Sequence, residues 1–172
     1  DEKIGRLAGE YILENLYEEG DRIMVIEGVE GSPISEKRRK GFLDAIQAKI
    51  PQEKIVYDYG DWLRDQAELR MKDYLVSHDQ ADIVFAFNDE MAYGAFLACQ
   101  QYRAADGVHL IGVDGFEGES AGLNLVERGI LDATIQSPDF GSMAYDVALA
   151  LLHGKETAHN ITIEPQLITG NE

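Results

Sequence analysis

The sequence has one cysteine, four prolines and few basic side chains, and these shortages already exclude several functions. Cys99 alone can form neither an internal disulfide nor a thiolate metal cluster. His78, His109, His153 and His159 are scattered along the chain, so neither a structural metal nor a cofactor is expected. Fifteen bases against 32 acids leave a formal charge of -17, which opposes binding to phosphate backbones and anionic lipid. Nucleic acid is therefore not an expected partner. No apolar run approaches the ~18 residues that a membrane-spanning helix needs. The sequence starts directly in a helix-like stretch, Asp1 to Leu16, without a signal-peptide pattern, so its compartment must be inferred by other means. Catalytic signatures are also missing: there is no GxxxxGKS/T phosphate loop and no GxSxG elbow, and GVEGSP after the first apolar run lacks the dinucleotide glycine spacing. Asp89 and Asp114 could form an acid-base pair, but the sequence places no histidine or nucleophile beside them, so an enzyme is not expected.

What is present is one domain's worth of core, 172 residues of which 45% are hydrophobic, arranged as alternating helices and strands. Ile4, Leu7, Ala8, Tyr11, Ile12 and Leu16 repeat with helical spacing, and a short apolar run, Arg22 to Gly28, follows. The alternation recurs: helices near 35–48, 64–77, 90–102, 120–128 and 141–153, with strands starting near residues 22, 55, 83, 108 and 131 and a last strand, ITIEPQLIT, closing the chain. The runs IMVIEG, IVFAF and HLIGV are apolar without alternation, as strands covered by helices on both faces should be. The expected fold is α/β, a three-layer, doubly wound parallel sheet of the flavodoxin type with right-handed crossovers.

Ligands of such sheets bind beyond the carboxyl ends of the strands. The polar residues there are few. Arg38 shares a helical stripe with Ile34, Phe42 and Ile46, where a guanidinium needs partners; its neighbours Lys37, Arg39 and Lys40 read as a solvated face. Trp62 follows the second strand in a polar context, GDWLRD, where its flat ring suits stacking on a sugar, or else caps the sheet edge. Asn88 and Asp89 open a helix, with Asp89 expected as its cap and Asn88 turned to the ligand. Asp114 in GVDGF and Gln136 after the fifth strand complete the set, an Asx turn being the plain alternative for Asp114. Together these side chains mix donors and acceptors, as a polyhydroxylated ligand requires.

The segments GVEGSPISEKRRKGFLDAI, VFAFNDEMAYGAF, LIGVDGF and GILDATIQSP, in that order, resemble the periplasmic sugar-binding proteins of the ribose/galactose type, which share a lac-repressor-like fold. The resemblance runs over essentially the whole chain. It implies a protein of two α/β lobes, joined by three crossing strands and closing on a monosaccharide. Residues 1–172 resemble the second, C-terminal lobe alone, with 138–154 similar to the helix that returns to the absent N-terminal lobe. Arg38, Trp62, Asn88, Asp114 and Gln136 would then be this lobe's sugar contacts. The implied function is the solute-binding component of a sugar ABC transporter, exported to the periplasm or lipid-anchored outside the cell, with a membrane permease as partner. Effector domains of lac-repressor-type transcription regulators and sensor-kinase ectodomains share the pattern and stand as alternatives. The apolar stripe Phe140, Met143, Ala144, Val147, Ala148, Leu151 and Leu152 would rest on the first lobe, and left uncovered it predicts a homo-oligomer.

Overall fold

A computed structural model describes residues 1–78, 80–102, 107–119 and 121–170. Helix α1 (Glu2–Tyr11) runs on into one wider, π-type turn (Ile12–Leu16), closed by the Tyr17 N–H donating to the Ile12 carbonyl. Strand β1 (Ile23–Glu27) follows, every residue buried. Helix α2 (Pro33–Ile46) starts at a defined stop: Ser32 accepts the Ser35 N–H, and Pro33, whose missing N–H costs nothing in the first turn, sets the helical φ. The alternation continues with β2 (Ile55–Tyr59), α3 (Arg64–His78), β3 (Ile83–Ala86), α4 (Asp89–Gln101), β4 (His109–Asp114), α5 (Gly122–Glu127), β5 (Ala133–Gln136), α6 (Phe140–Leu152) and β6 (Gln166–Thr169). The helix start expected near Ser120 lies outside the described residues.

Among the described residues the six strands form one sheet in the order β2-β1-β3-β4-β5-β6. The first five are parallel, in the order of a flavodoxin-like doubly wound sheet. Helices α1 and α2 pack together on one face and α3, α4 and α5 on the other, as right-handed crossovers require. The expected parallel sheet ends in an antiparallel edge: β6 runs antiparallel to β5 and is four residues long, much shorter than the expected ITIEPQLIT. Pro165 supplies the reason, because a residue without an N–H ends a ladder.

The core lies between the layers, with Phe85 of β3 5.1 Å from Phe42 of α2 and 5.2 Å from Phe87. Helix α6 stands apart: none of its residues is buried, and Phe140, Tyr145, Leu151 and Leu152 are more than half exposed. No helix of the described residues is long and apolar enough to cross a membrane.

Candidate functional site

The strand order reverses around β1 and β3, which opens a crevice at their carboxyl ends. Arg38 fills it. Its side chain enters from α2, 6% exposed, and donates through Nη1 to the Phe87 carbonyl just past β3. Nε donates to an Asp1 carboxylate oxygen at 3.2 Å, and the guanidinium carbon lies 5.7 Å from the Trp62 ring centroid, within cation–π range. Burial pushes this guanidinium below its ordinary range, while Asp114 and then Asp89 hold it up. Of the stripe expected around Arg38, Phe42 and Ile46 are buried but Ile34 is exposed.

Arg39 departs from the expected solvated face. Its Nε donates to Glu27 at 2.5 Å, and its guanidinium lies 4.5 Å from the Tyr57 ring centroid. Glu27 is 2% exposed at the end of β1, and burial raises its carboxyl against the pull of Arg39. A buried acid on a neighbouring strand is a partner that helical spacing cannot reveal. Lys40 does remain at the surface, paired with Glu2 and Asp44.

Trp62 sits after β2 in a two-residue turn where both Asp61 (φ 53°) and Trp62 (φ 65°) are left-handed. Such backbone costs energy in a residue with a Cβ and needs bracing. Asn88 provides it, donating through Nδ2 to the Trp62 carbonyl at 3.2 Å. The ring lies over Gly28, where any Cβ would run into the indole, so the glycine after β1 is what admits it.

The cap expected of Asp89 is supplied by Asn88 instead. Asn88 is the helix cap, its Oδ1 accepting the Met91 N–H at 2.8 Å. Asp89 turns inward instead, 4% exposed, and accepts the Thr134 hydroxyl at 2.7 Å and the Gly115 N–H at 2.8 Å. Its carboxyl is pushed up to about 7 by burial, a rise that the two hydrogen bonds oppose and the charges of Asp114 and Glu90 reinforce. Gly112 and Gly122 leave room for it, since a Cβ on either would strike a carboxylate oxygen. The spacing N-D at a helix start fits a cap at either position; which side chain turns inward depends on the glycine-lined hole behind it.

Asp114 ends β4 with φ 115°, half-buried, and accepts a long 3.4 Å hydrogen bond from the Ser137 hydroxyl. Burial raises its carboxyl, and Arg38 pulls it back. Gln136 is its register partner on β5 and donates through Nε2 to the Gly115 carbonyl at 3.1 Å. All five expected residues thus stand at the carboxyl-end edge of the sheet, Asn88 joined to Trp62 by a hydrogen bond, Trp62 to Arg38 by ring contact, Arg38 to Asp114 by charge and Asp114 to Gln136 by strand register. Two adjoining open grooves border Arg38, Asp114 and Gln136, whereas Trp62 and Asn88 line neither. One of about 570 Å3 is lined by Asp114, Phe116, Gln136 and Phe140, and another of about 570 Å3 by Arg38, Lys37, Pro138 and Phe140. No group of three or more His, Cys, Asp or Glu side chains among the described residues could hold a metal.

Residues 1–156 match the family described as a periplasmic binding protein domain. The chain belongs to the periplasmic binding protein family. A curated family member, the ribose import binding protein of Salmonella typhimurium, is 32% identical over 166 residues, covering 95% of this chain and 54% of that protein. Among solved structures, the fructose-binding periplasmic domain of a hybrid two-component system superposes with a TM-score of 0.82 at 29% identity, over 98% of this chain and 56% of the other. The Caulobacter myo-inositol binding protein, bound to myo-inositol, gives 0.82 at 28% identity, over 98% and 57%. This periplasmic binding protein chain therefore spans about half the length of the relatives it matches. Those relatives are binding proteins and not enzymes, and family members of this kind are exported.

Proposed function

We propose that this chain is the C-terminal lobe of a sugar receptor, holding a monosaccharide against a first lobe through Arg38, Trp62, Asn88, Asp114 and Gln136. The observation that carries the reading is the buried Arg38 at the strand-order switch, with Asp114 and the Trp62 ring beside it. A fixed cation and a fixed carboxylate offer forked donation and acceptance to neighbouring hydroxyls, and each such charged hydrogen bond contributes about 1.5–3 kcal/mol. The indole adds apolar contact to the C–H face of the ring, about 0.5–1.5 kcal/mol for an aromatic partner. Binding is non-covalent capture. The sugar bridges the lobes and shifts a hinge equilibrium towards the closed form, which a permease then reads as the solute-binding component of an ABC importer. Lipid anchoring or free diffusion in the periplasm both suit this role.

A second reading, a sensor ectodomain that passes closure to a kinase, is favoured by the likeness to the fructose-binding domain of a two-component system. Both readings require sugar binding, and they part on what the full-length gene appends: a further signalling domain marks the sensor. The test is a thermal-shift screen of the full-length protein against pentoses, hexoses and inositols. A rise in melting temperature with one of them supports the reading, since a ligand selective for the folded state raises it. No rise with any, at millimolar sugar, overturns it.

A further inference from the structure

Asp89 belongs to the site edge but cannot reach a ligand, being buried behind the turn that follows β4. That turn is unusual, with two successive left-handed residues, Asp114 at φ 115° and Gly115 at φ 61°. The first of them carries a Cβ and is held in a conformation that L residues avoid. Asp89 holds it: the Gly115 N–H donates to this carboxylate, whose other oxygen is fixed by Thr134 on β5. Gly112 on β4 and Gly122 on α5 open the hole that the carboxylate occupies. We infer that Asp89 is a positioning residue, which locks the Asp114–Gly115 turn so that the Asp114 carboxyl faces the ligand and ties sugar affinity to the charge on its own carboxyl; this rests on the sugar-binding reading above.

The charged groups bearing on Asp89 are Arg38 from α2, Asp114 from β4 and Glu90 beside it on α4, while Thr134 on β5 and Gly122 on α5 face it uncharged. Ionised, the carboxylate accepts both hydrogen bonds. Neutral, it still accepts the Gly115 N–H through one oxygen and donates its own proton to the Thr134 hydroxyl oxygen, so the turn survives protonation. The change is electrostatic, because an ionised Asp89 is a second anion competing with Asp114 for Arg38. A small open cavity of about 50 Å3 is lined by both Asp89 and Asp114, with Phe116 and Gly122. A ligand seated on Asp114 covers that opening. Binding therefore disfavours the charged carboxyl, takes up a proton, and is tighter at lower pH; the carboxyl titrates at about 7, inside the accessible range.

The test is calorimetry on the full-length protein with the sugar selected by thermal shift, between pH 5.5 and 8.5, for wild type, Asp89→Asn and Asp89→Ala. Asparagine copies the neutral carboxyl's shape and bonding; alanine removes both hydrogen bonds. Wild-type affinity should be at least threefold tighter at pH 5.5 than at 8.5, and the asparagine variant's should be flat with pH and close to the wild-type low-pH value. The alanine variant should bind at least tenfold more weakly at either pH, with the Gly115 amide exchanging at least tenfold faster while β1 amides keep their protection. A flat wild-type profile, or an asparagine profile that still slopes, overturns the inference, and so does an alanine variant with wild-type affinity and Gly115 protection. If the alanine variant fails to fold, the asparagine comparison decides alone. A wild-type protein that binds no sugar removes the functional reading and this inference with it, whereas sugar binding that ignores Asp89 removes only the inference.

Discussion

Replacing Arg38 with methionine separates its electrostatic role from its packing, because methionine retains an unbranched stem in the same slot. The variant loses the hydrogen bonds to the Phe87 carbonyl and to Asp1, and it leaves Asp114 without the cation that holds its carboxyl down. Removing one partner of a buried charged pair costs about 3–5 kcal/mol; here Arg38 is buried, its ion-pair partner Asp1 is part-exposed and Asp114 acts on it through charge alone. Asp114 is only half-buried and can recruit water, which places the loss near the lower bound, about 3 kcal/mol. For a domain of this size about 1 kcal/mol moves the melting temperature by about 2–4 °C, so a fall of about 6–12 °C is expected at pH 7.5. The pH dependence has a definite sign. Arg38 depresses the folded-state titration of Asp114, so its contribution is present where Asp114 is ionised and is lost as pH falls through the Asp114 titration. The gap between wild type and variant should therefore narrow at pH 4. Circular-dichroism melts at both pH values measure this. A loss under about 1 kcal/mol at pH 7.5, or a gap that widens in acid, would refute the idea that Arg38 neutralises Asp114.

Three more outcomes follow from the same geometry. Asn88→Ala removes the α4 cap and the brace on the left-handed Asp61–Trp62 turn, and denaturant titration should show a loss of about 1–2 kcal/mol. Asp89 is raised from 3.8 to about 7 in the folded state, so the folded state binds the extra proton and stability declines as pH climbs between those values. The full decline is on the order of 4 kcal/mol at most, and denaturant unfolding from pH 4 to 8 should show it in wild type and not in Asp89→Asn. Helix α6 carries Leu149 and Leu152 on an uncovered apolar surface, so the isolated chain should self-associate in sedimentation, and Leu152→Glu should restore a monomer.

The layered fold was legible because parallel strands buried on both faces are continuous apolar runs, and IMVIE, IVFA and HLIGV all became central strands. The edge of the sheet was less so. Pro165 cuts the last strand short, and its antiparallel pairing with β5 depends on the path that α6 takes, which local pattern does not encode. At the site, the chain positions of Arg38, Trp62, Asn88, Asp114 and Gln136 could be read from where strands end. Their partners could not. That Asn88 caps and Asp89 turns inward depends on glycines 23 and 33 residues further along, and the docking of Arg39 depends on Glu27, a residue of another element. Left-handed backbone at Asp61, Trp62 and Asp114 leaves no compositional mark, because non-glycine residues occupy it.

In the proposed function a sugar is held at the carboxyl-end edge of the sheet. Amide chemical-shift mapping of the full-length protein, titrated with the sugar found by thermal shift, tests it most directly. Within this lobe the largest shifts should fall at residues 28, 38, 61–63, 88–89, 114–116 and 136–137. Shifts gathered instead at the opposite end of the strands, around His109, Asp132 and Thr169, would contradict it.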